Sequence, residues 1–189
     1  ARAPALEQQK ESRTARIEKM ISAIELRIKE DPNNPQNWAQ LGQANQMVER
    51  HAAAIVAYET LVKITDRHPD ALTALGEAMF INAGEVVTPE ALKLFKEAQA
   101  REPNNPMPYY YLAEERQAAG DLQGAITAYV NLLEASPSDG EWVPEIRSRM
   151  EALGTDAGIS IPEIKMLPPM ESAQPAQTPT TAGPTQQQV

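Results

Sequence analysis

The chain has 189 residues, a formal net charge of -9 and no cysteine. That length suits one domain with polar ends. The missing cysteine excludes disulfides, thiolate nucleophiles, Cys-ligated metals and haem attachment through a C-x-x-C-H motif. The acidic balance argues against a nucleic-acid partner, since such readers carry a basic face. No run of about 18 apolar residues is present to span a bilayer.

Residues 1–16 are polar and charged, with a weak helical tendency and no apolar stripe. From Ile17 the pattern changes: Ile17, Met20, Ile21, Ile24 and Ile28 fall on one face of an amphipathic helix. The run Asp31-Pro32-Asn33-Asn34-Pro35 ends it, because each proline disfavours helix at the residue before it and cannot donate its own hydrogen bond.

Three units follow, at 35–68, 69–105 and 106–139. In the first, Trp38, Leu41, Gly42, Ala54 and Tyr58 fit the W-x-x-L-G and A-x-x-x-F pairs of a tetratricopeptide repeat. Leu72, Leu75, Gly76, Ala91 and Phe95 take those places in the second unit, and Tyr109, Leu112, Ala113, Ala125 and Tyr129 in the third. Pro103 and Pro137 are 34 residues apart, as are Ala91 and Ala125, whereas Ala54 and Ala91 are 37 apart. The middle unit therefore carries three extra residues around Ala83-Gly84-Glu85-Val86-Val87, and Thr88-Pro89-Glu90 restarts its second helix as N-cap, first position and acidic first turn. Carried back, the same register makes 17–34 the second helix of an incomplete leading repeat.

Packing explains the spacing. Small residues let paired helices approach closely, large aromatic ones fill the space between pairs, and stacked pairs share one elongated core. The expected fold is all-α: a tetratricopeptide-repeat (TPR), right-handed superhelical solenoid of antiparallel helix pairs with terminal capping helices. Trp142, Ile146, Met150 and Leu153 predict a capping helix over 142–153, ended by Gly154. Residues 155–189 are rich in Pro, Gln and Thr and read as a largely disordered tail, most plainly from about Met170 onward.

Nothing in the sequence assembles a catalytic set: there is no G-x-S-x-G, P-loop or H-E-x-x-H motif. The chain is not expected to be an enzyme, and no cofactor is expected. His51 and His68 read as exposed turn residues, not metal ligands. Binding is the expected activity. In a repeat stack the first helix of each pair lines the concave face, which nominates Gln43 and Met47, with Ala39, in the first unit. Thr73, Glu77 and Phe80 follow in the second, and Tyr110, Glu114 and Gln117 in the third. Met47, Phe80 and Tyr110 would form an apolar strip with polar and acidic edges, suited to an amphipathic helix laid in the groove. The clamp of Lys, Arg and Asn that holds a terminal carboxylate in some tetratricopeptide domains has no counterpart, since Ala39, Gln43, Thr73, Met107 and Tyr111 stand in its places.

The longer second unit with its G-x-V-T-P-E-A-like restart, the E-P-N-N-P link and the closing P-S-D-G-E-W with its helix resemble the periplasmic part of the cytochrome c maturation family CcmI/CycH, to which NrfG is related. The resemblance covers about Ile17 to Leu153. It implies a periplasmic chaperone that binds the C-terminal helix of apocytochrome c and delivers it to the subunits of the haem-ligation complex. It also implies a tether to the inner membrane through an N-terminal part absent from this chain. A general interaction scaffold in an envelope assembly is the alternative reading.

Overall fold

The computed structural model describes residues 3–170. Among the described residues it has eight α-helices and no strand beyond one isolated bridge. Helix α1 spans Ala3–Glu30; then come the pairs α2 (Pro35–Met47) with α3 (His51–Ile64), α4 (Pro69–Asn82) with α5 (Pro89–Arg101), and α6 (Met107–Ala118) with α7 (Leu122–Glu134); α8 is Val143–Ala157. Each helix packs on its chain neighbours, so the pairs stack in sequence order into an all-α TPR-like array.

The local chemistry sets these boundaries. Asn34 caps α2 by accepting the Gln36 N–H at 3.0 Å, Thr88 caps α5 by accepting the Ala91 N–H at 3.2 Å, and Asp121 caps α7 through the Gly124 N–H at 2.9 Å. Proline stands in the first turn of α2, α4, α5, α6 and α8, where its missing N–H removes no helical bond.

The pairs close through contacts between a small residue and a ring. A Cβ built on Gly42 would lie 2.5 Å from the Tyr58 ring, and one on Gly76 would lie 2.6 Å from the Phe95 ring. Phe95, Tyr129, Ala54, Ala91, Ala113 and Ala125 are fully buried. Leu72, Leu75 and Leu61 link the first two pairs, while Ile126, Leu133, Tyr111 and Leu112 belong to the core of the third pair and α8.

Three features differ from the sequence reading. Helix α1 does not begin near Ile17 but runs continuously from Ala3, because residues 5–16 contain good helix formers and no breaker. Its apolar face still lies further on, where Ile17, Ile21 and Ile24 pack with Ala44 of α2. Gly154 does not end α8, which continues to Ala157 and stops at Gly158 in the left-handed region, φ +66°. Gly154 is instead a close-approach site, where a Cβ would lie 2.9 Å from the Ile159 carbonyl oxygen.

The third difference concerns the tail. Residues 158–170 run back over the end of the stack, with Ile159, Ile161, Ile164 and Met166 packed on the core around Ile146 and Met150. The Leu167 N–H donates to the Ser136 carbonyl at 3.1 Å, and the Ser138 N–H donates to the Leu167 carbonyl at 3.0 Å. The Met170 N–H donates to the Asp139 carboxylate at 3.0 Å. Apolar residues spaced two and three apart give this Pro-rich stretch contacts that its composition alone conceals. The expectation of disorder from 171 onward lies outside the described residues.

The glycine–ring contacts generate a stability prediction. Gly76→Ala should displace the Phe95 ring and lower the unfolding free energy by about 1–3 kcal/mol, measured by urea denaturation. An unchanged midpoint would show that the ring is free to move aside.

Candidate peptide-binding groove

The first helices of the pairs, with α8 in the next place along the stack, present three cavities in a row. Ala39, Gln43, Gln46 and Glu77 line one of about 400 Å³ backed by Tyr58 and Leu61. Phe80 and Glu114 line the next, about 350 Å³, roofed by Glu85, Val86 and Val87 of the three-residue extension. Tyr110 and Tyr111 line the last, about 310 Å³, with Pro106, Met107, Leu132, Trp142, Glu145 and Ile146. That last cavity is walled mainly by carbon, and Trp142 is 43% exposed at its edge.

Tyrosine hydroxyls hold two of the polar groups of the floor. The Tyr58 hydroxyl donates to Gln46 Oε1 at 2.9 Å, and the Tyr129 hydroxyl donates to Glu114 Oε1 at 2.8 Å. Phe95 holds the equivalent place in the middle pair and has no hydroxyl. Tyr111 stacks on it, ring centroids 4.3 Å apart, and brings its own hydroxyl near Glu77. Phe80 and Tyr110 meet the Tyr111 ring edge-on at 5.3 and 5.2 Å. Phe80, Phe95, Tyr110 and Tyr111 thus form one connected unit.

Burial and neighbouring charge perturb these groups. Burial, and then the Glu77 charge, push the Tyr58 phenol up to about 12. Burial raises the Tyr111 and Tyr129 phenols further, reinforced by Glu77 and Glu114 respectively. The Glu77 carboxyl is raised by burial, partly opposed by the hydrogen bond from Tyr111. Arg149 of α8 reaches Glu114 and lies 5.8 Å from the Tyr110 ring centroid. Its guanidinium is held well above its ordinary value, first by its hydrogen bond with Tyr129 and also by the Glu114 charge.

The structure brings Gln43, Glu77, Phe80, Tyr110 and Glu114 to this row of cavities. It places three nominated residues elsewhere. Thr73 is 6% exposed and its hydroxyl donates to the Pro69 carbonyl at 2.9 Å, so a short β-branched side chain bonds its own helix and does not face the groove. Met47 is 47% exposed outside the three cavities, and Gln46 lines the first instead. Gln46, Phe80 and Gln117 each stand eight residues past the repeat's first large residue, whereas Met47 stands nine past it. Gln117 is exposed and lines none of the three.

Residues passed over by the sequence reading also join the site: Gln46, Met107, Trp142, Glu145 and Arg149. The 34-residue register carried past residue 139 lands on Pro144, Ser148 and Glu151 instead, so spacing alone does not identify the last three, although α8 follows α7 along the stack. Of the two histidines, His68 is exposed, but His51 is half-buried at the start of α3. No group of three or more metal-ligating side chains is present among the described residues.

Known proteins resemble this chain in sequence and in fold. The family model of the cytochrome c-type biogenesis protein H TPR domain matches residues 2–142. Cytochrome c-type biogenesis protein CycH of Bradyrhizobium diazoefficiens is 28% identical over 138 residues, 73% of this chain and 37% of that protein. The CycH of Rhizobium meliloti is 26% identical over 71% of this chain and 35% of its own length. The bifunctional subunit NrfFG of the Haemophilus influenzae formate-dependent nitrite reductase complex is 31% identical over 46% of this chain and 23% of its own. The chain thus spans about a third or less of the length of these relatives. Among solved structures, MamA superposes with a TM-score of 0.62 at 21% identity, covering 76% of this chain and 80% of MamA, a likeness of fold.

The raised Glu77 carboxyl fixes a pH dependence. A group whose folded pKa lies above its unfolded value favours the folded state fully below the unfolded pKa, and that contribution is lost as pH rises through the folded pKa. Wild type should therefore lose stability relative to Glu77→Gln as pH rises from about 4 toward neutrality, measured as the difference in urea midpoints. A pH-independent difference would contradict burial as the dominant influence on Glu77.

Proposed function

Because this chain belongs to the cytochrome c-type biogenesis protein H TPR family, we propose that it is a binding module that takes the C-terminal helix of apocytochrome c in its concave groove. It presents that helix to subunits of the haem-ligation complex. In this reading the domain works in the periplasm, held at the inner membrane by another part of a longer protein, and performs no chemistry itself.

The observation that carries the proposal is the apolar cavity bounded by Tyr110, Tyr111, Met107, Leu132, Trp142 and Ile146. It is open and lined by rings already locked edge-to-face, so a side chain entering it meets a formed surface. Large apolar anchors in such cavities dominate the affinity of a helix for a groove. Glu77, Glu114 and Glu145 flank the apolar floor and favour a helix whose polar edges are neutral or basic. A chaperone for an unfolded client must let it go again, and an open groove with one apolar anchor point suits a complex that dissociates.

Titration of the domain with a synthetic apocytochrome c C-terminal helix, followed by calorimetry and by Trp142 fluorescence, tests this. The parent peptide should bind, and Tyr110→Ala should weaken it about tenfold, the scale of losing one anchor contact. A peptide with its apolar anchors changed to Asp should not bind measurably. Equal binding of parent and Asp-substituted peptides would contradict recognition of a helix by its apolar face.

A further inference from the structure

Arg149 lies beyond the residues that the family model matches. It brings a positive charge to a face that otherwise carries Glu77, Glu114 and Glu145. Its hydrogen bonds to Glu114, Tyr110 and Tyr129 all leave from Nη1. Nε and Nη2 have no partner among the described residues, and the side chain is 42% exposed. A guanidinium offers two parallel donors along that edge, matched to the two oxygens of a carboxylate. Here the group is already fixed by Glu114 and stacked near Tyr110, so little side-chain freedom remains to be lost on binding.

We propose that Arg149 is a specificity residue of the groove: its Nε/Nη2 edge receives one side-chain carboxylate of a bound helix whose apolar anchor fills the cavity beside Tyr110. This rests on the helix-in-groove reading above. The cavity and the guanidinium share Tyr110, so the carboxylate and the anchor stand about one to two turns apart on the bound helix, ~5–11 Å along its axis. A second acid on the same helix would approach Glu77 or Glu145 and be repelled. The groove therefore selects a charge order, one acid near the anchor and neutral or basic residues elsewhere, and that order sets the direction in which the helix lies.

A double-mutant cycle separates this role from the structural bond to Glu114. The probe is the apocytochrome c C-terminal helix with its C-terminus amidated, made as a set in which each Asp or Glu is changed in turn to its amide. Each peptide is titrated against wild type, Arg149→Gln and Arg149→Lys, with a free-terminus peptide alongside. One substitution should weaken binding to wild type about tenfold, the scale of a charge-assisted hydrogen bond, and leave binding to R149Q unchanged; R149K should fall between. Substitutions that act alike on wild type and R149Q would remove this role from Arg149 while leaving the groove reading intact. Coupling of Arg149 to the free terminus alone would overturn the side-chain assignment in favour of the chain end. Failure of the parent peptide to bind wild type would remove both the inference and the reading it rests on.

Discussion

The closeness of the two helices within each pair governs the rest of the molecule. At Gly42 and Gly76 a ring from the second helix lies where any Cβ would collide with it. The contact fixes how near the helices lie and which way the ring points. Pointed that way, Tyr58 and Tyr129 deliver their hydroxyls to Gln46 and Glu114 on the groove face. The packing that holds the pair together therefore also orders the polar groups of the face that carries the cavities. The third pair uses alanine, Ala113, in place of glycine and still buries Tyr129 completely.

The middle pair tests this logic, because Phe95 has no hydroxyl to offer. Tyr111 from the following helix stacks on Phe95 with its hydroxyl near Glu77, so the groove face of one repeat is completed by the next. The same ring touches Phe80 and Tyr110, so the second and third units share one aromatic unit at the floor. Coupling of this kind is expected of a stack in which a lone pair cannot bury its apolar face.

Most of the architecture could be read from the chain because its signals are local and repeated. Pro35, Pro69 and Pro89 mark helix starts, and Gly42, Gly76, Tyr58 and Phe95 mark the pair contact at fixed spacing. The groove was legible as a face but not residue by residue. Thr73 has a groove position by register, yet its hydroxyl bonds the Pro69 carbonyl, a choice that spacing does not encode. Met47 lies one residue past the place that Gln46 holds in the register. Arg149 lay hidden because its partners, Tyr110, Glu114 and Tyr129, are 20 to 39 residues away in sequence. The strap at 158–170 was masked by its prolines, although Ile159, Ile161, Ile164 and Met166 carry enough apolar surface to close the end of the core. With the strap on that end, α8 can hold Trp142 and Arg149 against the groove.

Hydrogen exchange of the domain with and without apocytochrome c addresses the central claim most directly, because it reports which face the client covers without altering either protein. Binding in the groove predicts added protection in α4, α6 and the first turns of α8, strongest around Tyr110 and Trp142, with α3, α5 and α7 little changed. Protection concentrated in α3, α5 and α7, or none at saturating apocytochrome, would contradict it.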